Sequence, residues 1–161
     1  MVRLIVLEGI DRAGKTSLRL AITQACDYQV VTIDRMGISS RVYDAYCERT
    51  GLAERAEQLR AMEEVLAREA GLAVIFVDTA PEVCYERALS ACSMDEVPKW
   101  TLADLTAQRE LFLEEFAATK APMLTVKPDD RPIIEIAYEC AAWIKTLPDV
   151  EPRRGAFLAP L

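Results

Sequence analysis

The chain has 161 residues, 52% apolar and 28% charged, which describes one globular domain with its own core rather than a disordered tail or a fibre. No apolar run approaches the roughly 20 residues of a membrane span, the amino terminus lacks the basic start of a signal peptide, and a net charge of −7 argues against a broad grip on nucleic acid while leaving room for a local basic cleft. Histidine is absent and the five cysteines, at 26, 47, 84, 92 and 140, form no CxxC pair, which excludes a His-based triad, argues against zinc and fits reduced thiols in the cytoplasm.

In chain order, Val2–Glu8 is short, continuous and β-branched, and predicts a buried parallel strand. It runs into Gly9-Ile10-Asp11-Arg12-Ala13-Gly14-Lys15-Thr16-Ser17, which fits GxxxxGK[ST] without a gap. Phosphate chemistry asks for these residue types. A loop that wraps its N–H groups around a phosphate needs glycine where the backbone turns sharply or approaches closely. Lys15 adds a point charge for the β and γ oxygens, and Thr16 offers a hydroxyl to Mg²⁺. Thr16–Cys26 has the apolar face of a helix in Leu18, Leu20, Ala21, Ile22 and Ala25, and that helix aims its positive end at the anion. Residues 9 to 17 are therefore the candidate ATP-binding set. Arg12 inside the loop is either a built-in arginine finger or a solvent-pointing loop residue. Asp11 either accepts from an acceptor hydroxyl or shapes the turn.

Gln29–Asp34 predicts a second strand ending on an acid. Asp34 can hold Mg²⁺ through water or serve as base, against a structural helix-cap role, and Arg35 can neutralise a phosphate, against a surface ion pair. Ser39–Cys47 reads as a helix that Ser39 and Ser40 cap, unless one of them reaches a ligand. Tyr43 and Tyr46 share a face of it, for core packing or for stacking a base. Leu52–Ala70 is amphipathic, with Leu59, Met62, Leu66 and Ala70 toward the core and Gly71 as its C-cap. Residues 72–78 form the clearest buried strand, ending at Asp78. Pro81 starts a helix, 91–101 read as a loop, Leu102–Thr119 as a helix, 123–127 as a last strand and Pro132–Leu147 as a closing helix. One domain carrying the phosphate loop thus fills 1–148, and 149–161 form a tail. The order β-α-β-α-α-β-α-α-β-α predicts an α/β fold of three layers, a mostly parallel sheet of about four strands flanked by helices. Ligands of such sheets lie beyond the carboxyl ends of the strands, where Glu8, Asp34 and Asp78 fall.

Three stretches carry a family resemblance. "LEGIDRAGKTS" closely resembles the phosphate loop of thymidylate kinases, especially those with an arginine inside it. "DRMGISSRVY" is similar to the DRYxxSSxxY segment of that family, with Met36 where tyrosine is usual. "LAVIFVDTAPEVCYER" resembles its fourth strand and the helix start that follows, and "MLTVKPDD" with the closing helix fits its end loosely. Together they cover most of the chain. The resemblance implies a P-loop kinase fold in which Gly9, Gly14, Lys15 and Thr16 hold ATP phosphates and Mg²⁺. It implies that Arg12 stabilises the transition state, that Asp34 and Arg35 face the reacting phosphates, that Arg87 lies against adenine, and that the loop after Val126 lines the base. Taken on its own, Arg87 is also a candidate for a helix-surface ion pair.

The sequence departs from the family in two places. Only residues 17 to 33 lie between Thr16 and Asp34, where thymidylate kinases carry the longer segment that encloses the nucleoside monophosphate. Between Arg87 and Arg109 the only cation is Lys99, so the arginine-rich lid is missing too. A small acceptor must be enclosed to keep water out, whereas a polymer closes the site with its own bulk. The expected function is an ATP-dependent kinase for a thymidine-like acceptor. The reading leans to the hydroxymethyl group of 5-hydroxymethyluracil in DNA, as in viral kinases of base hypermodification, with a dTMP-type kinase as the alternative. Arg12, Arg19, Arg35, Arg41, Arg153 and Arg154 favour DNA; the net charge opposes it. Asp11, Ser39 and Tyr43 are the acceptor-side candidates. A nucleotide-dependent switch is the reading from another class, and a homodimer is compatible with all of these.

Overall fold

The computed structural model describes residues 3–47, 53–93, 96–128 and 130–149. The predicted starts at Val2 and Leu52, and the tail with Arg153 and Arg154, lie outside the described residues. Ten elements follow in the expected order: β1 (Arg3–Glu8), α1 (Lys15–Ala25), β2 (Val30–Asp34), α2 (Gly37–Tyr46), α3 (Ala53–Ala70), β3 (Ala73–Val77), α4 (Pro81–Ala91), α5 (Leu102–Ala118), β4 (Met123–Val126) and α6 (Ile133–Thr146).

The four strands form one parallel sheet in the order β2-β1-β3-β4. Burial follows from that order. β3, with a strand on each side and helices on both faces, is buried throughout, as is the last part of β1. β2 is an edge strand and leaves Val31 51% exposed. The register pairs Leu7 with Asp34 and Glu8 with Phe76, so Glu8, Asp34 and Asp78 do gather at one end of the sheet. Helix α1 packs on α6, and α2 on α5. Phe76 meets Phe116 at 4.3 Å and Phe112 at 6.1 Å between ring centroids, which fastens α5 to the central strand. No helix among the described residues is long and apolar enough to cross a membrane.

Two local expectations change. Helix α2 begins at Gly37, with Met36 as an N-cap that has no side-chain cap bond. Ser39 and Ser40 thus lie inside the first turn and cannot cap it. The Ser40 hydroxyl donates to the Met36 carbonyl, and the Ser39 hydroxyl donates to Glu8. The second change concerns α3. Its buried side chain is Glu63, whereas Met62, expected in the core, is 41% exposed. The reason is a charge partner: Arg41 of α2 is itself buried and donates to Glu63 at 2.9 Å. Leu59 and Met62 line a surface cavity instead.

Candidate active site

The loop from β1 to α1 needs its glycines. Gly9 has φ 142°, and a Cβ there would stand 2.6 Å from the Val77 carbonyl oxygen of β3. Gly14, at φ 94°, opens α1 in a conformation that side chains resist. Arg12 takes the left-handed region as well, at φ 64°, with its side chain exposed. Two groups from the β3–α4 side hold the loop. The Thr79 hydroxyl donates to the Ala13 carbonyl at 2.9 Å, and Arg87 donates to the Arg12 carbonyl at 3.1 Å. Ile10 and Ala13 are buried, so they face a ligand through their backbone alone. Ser17 is exposed in the first turn of α1.

Lys15 lies beneath the loop, 5% exposed, donating to the Gly9 carbonyl at 2.9 Å and to Ile10's at 2.6 Å. Burial, with help from the Arg35 charge, lowers its pKa to about 8 against the pull of Asp34, Asp11 and Glu8. The Thr16 hydroxyl donates to Asp34 Oδ2 at 2.6 Å, while Asp34 Oδ1 is buried with no hydrogen-bond partner. An orphan carboxylate oxygen beside a threonine hydroxyl fits Mg²⁺. That ion keeps several waters and takes few protein ligands, with phosphates completing its shell.

Arg35 is set by the backbone. Its N–H donates to the Leu7 carbonyl at 3.0 Å, its φ is 68°, and its guanidinium donates to Asp11 and lies 5.1 Å from the Tyr43 ring centroid. Asp11 accepts on its other oxygen from the Trp100 indole N–H at 2.8 Å. Burial alone would push the Asp11 carboxyl up, but the Arg35 charge and the Trp100 donor hold it below its usual range. Glu8, wholly buried, accepts from the Met36 N–H at 2.8 Å and from Ser39, and burial pushes its pKa up.

Several hollows lie at this end of the sheet. The central cleft is lined by Asp11, Lys15, Thr16, Asp34, Arg35 and Arg87. On one side lies a cavity of about 290 Å³ between Leu18, Arg87, Pro128, Ile133 and Ile136, so Arg87 and the loop after Val126 do come together. On the other side, Arg35, Ser39, Tyr43, Arg55, Leu59 and Met62 line a groove. Arg41 is buried and paired with Glu63 and Glu115, so it adds nothing to a basic surface, and Arg19 turns toward the Thr32 carbonyl.

Several residues of the site escape a reading of the sequence. Trp100, placed in a polar loop, stacks on Tyr43 and meets Tyr46 edge-on. The Tyr46 hydroxyl donates to Asp104. Asp78 is locked in a two-bond pair with Arg109, at 2.6 and 3.0 Å, and so anchors α5. Gln108 is fully buried with neither amide atom partnered. The one local signal was Thr101 with Asp104, the capping box that starts α5 directly after Trp100.

No protein-family model matches the chain, and no curated protein matches it in sequence. Among solved structures it is similar to the YorR protein of Bacillus subtilis in complex with phosphorylated GDP. Identity is 20%, over 88% of this chain and 95% of that one, with a TM-score of 0.68. It is also similar to deoxyadenosine kinase from M. mycoides with bound dCTP, at 11% identity over 87% of this chain and 99% of that one, TM-score 0.60. The fold is that of the P-loop kinases. The glycine loop stands between the cavity on the Arg87 side and the central cleft that reaches Arg35.

Proposed function

We propose that the chain is a nucleoside or nucleotide kinase that moves the γ-phosphoryl group of ATP to a hydroxyl or phosphate of a free acceptor. The observation that carries this reading is the Thr16–Asp34 pair with its orphan oxygen, set beside the buried Lys15 at the mouth of the loop. ATP phosphates lie on the loop N–H groups and Lys15, with the base in the cavity against Arg87. Mg²⁺ held by Thr16 and, through water, by Asp34 would neutralise charge on the β and γ oxygens. The acceptor oxygen bonds to the γ-phosphorus, the bond to the β-phosphate oxygen breaks and ADP leaves; when the acceptor is a hydroxyl, its proton is released to water. Arg12, exposed and lining both the central cleft and the cavity on the Arg87 side, stabilises the charge that spreads over the phosphoryl oxygens, and Arg35 steadies the acceptor side. Asp11 and Tyr43 face the acceptor, and Ser39 shapes that wall through its bond to Glu8.

The groove favours a free acceptor over a base in DNA. The segment that encloses the acceptor in thymidylate kinases is short here, but the apolar stripe of α3 stands at the acceptor side and takes its place. Leu59 and Met62 turn to the groove instead of the core. The test is transfer of labelled γ-phosphate to thymidine, dTMP, deoxyadenosine, GMP, hydroxymethyl-dUMP and duplex DNA containing hydroxymethyluracil. Label in a free nucleoside or nucleotide is the expected result. Label in DNA alone would give the groove to a flipped base. Slow ATP hydrolysis with no labelled acceptor would leave the switch. In the Arg12→Ala variant, turnover should fall by about 10³-fold or more with ATP affinity little changed; a near-normal rate would remove Arg12 from the chemistry.

A further inference from the structure

Trp100 is held the way a nucleobase would be. Its ring stacks on Tyr43 at 6.1 Å and 19°, and meets Tyr46 edge-on at 5.6 Å and 81°. Its ring N–H donates to Asp11 at 2.8 Å. The Lys99 ammonium lies 4.7 Å from its centroid. A planar ring that carries an N–H, stacks on an aromatic side chain and donates to a carboxylate is the chemistry of a purine or pyrimidine as much as of an indole. The carboxylate belongs to the phosphate loop itself, and Asp11 lines both the central cleft and a cavity beyond it that Trp100 shares with Lys99 and Leu105. A ring in this position is therefore next to the site of phosphoryl transfer.

We infer that Trp100 is an internal stand-in for the base of the acceptor. The acceptor ring takes the place of the indole, stacks on Tyr43 and donates to Asp11, and Trp100 moves out as it enters. This inference rests on the kinase reading above and names where the acceptor ring of that reaction sits: on the Trp100 side of Tyr43, a ring that also lines the Arg35 groove holding the rest of the acceptor. The fold permits the exchange. Trp100 precedes Thr101, the extended N-cap of α5, and follows Pro98 and Lys99 outside any helix. Rotation in this short run frees the indole without unwinding α5, whose hold on the sheet is through Phe112, Phe116 and Arg109. The stand-in occupies the Tyr43 face and one oxygen of the Asp11 carboxylate until an acceptor arrives. It also weakens apparent acceptor affinity in proportion to its own occupancy.

The test uses the two tryptophans of the chain, at 100 and 143. With Trp143→Phe as background, Trp100 is the only emitter. Thymidine, dTMP and deoxyadenosine are titrated without ATP. The expected result is a saturable red shift for the ligand that binds, as the indole leaves Tyr43. In kinetics, Trp100→Ala should lower the KM for the acceptor by about tenfold and leave the KM for ATP unchanged. Trp100→Phe, which can still stack but cannot donate to Asp11, should fall between. Acceptor transfer with no change in emission, or an acceptor KM that rises in Trp100→Ala, would overturn the stand-in and leave the kinase reading in place. A red shift with a nucleoside but no transfer would keep the ring site and remove the kinase reading. Neither a shift nor transfer would overturn both.

Discussion

Lys15 has a largely buried cationic side chain, steadied by two carbonyls of the loop it supports. Its pKa of about 8 lies below that of a lysine in an unfolded chain, near 10.4. Between these values the unfolded chain binds more protons than the folded one, so this residue makes stability rise with pH from about 8 upward. Nucleotide phosphates act in the opposite direction, because an anion beside Nζ favours the charged form. Binding above pH 8 should therefore take up a proton, approaching one per site, and affinity should fall as pH rises toward 10. Calorimetric titration in two buffers of different ionisation enthalpy measures that uptake. An absence of uptake at pH 9 would mean the phosphates do not reach Lys15.

At the scale of elements, α2 is the piece whose placement shapes the groove on the Arg35 side, since Arg35 and Met36 lead directly into it. Glu63 of α3 accepts from the Ile38 N–H and from Arg41, doing the work expected of the serines. Gly37 is glycine because the Glu63 carboxylate lies where its Cβ would go. Removing the carboxylate leaves a buried guanidinium with only Glu115. Glu63→Ala should thus cost about 3 kcal/mol, at the low end for a broken buried pair because Glu115 remains. Urea denaturation reads the loss directly, and Glu63→Gln should recover part of it by keeping one acceptor oxygen and the side chain's volume. An unchanged urea midpoint would mean that the pair does not hold α2. The periodicity of α3 was legible in its sequence; the direction of its apolar stripe was not. Spacing tells which residues share a face, while the identity of the surface opposite depends on Arg41 from another helix.

The whole molecule is acidic, with net charge −7, around a cleft whose named cations are Lys15, Arg12, Arg35 and Arg87. A polyanionic nucleotide finds those four cations together at the cleft, and a divalent cation lowers the cost of bringing it there. Saturating Mg²⁺ and ATP at about 100 times Kd should add about 2.7 kcal/mol, which for a chain of this size raises Tm by about 5–10 °C. Thermal denaturation with and without EDTA isolates the share due to metal. Asp34→Asn should erase that share and keep the shift due to nucleotide alone; a metal-dependent shift that survives would place the ion elsewhere.

The phosphate loop was legible because it is local. The N–H groups, the lysine and the threonine that meet a phosphate all lie between residues 9 and 17, so their spacing along the chain is already their geometry. Strand order along the chain, and the acids at the strand ends, were readable for the same reason: each depends on short apolar runs and their punctuation. The tertiary structure alone decided what those acids do. Asp78 is taken by Arg109, Glu8 by Ser39 and Met36, and Asp11 by Arg35 and by Trp100, which is 89 residues away. A side chain's partner across such a distance is set by how helices pack on the sheet, and no pattern within a single element records it.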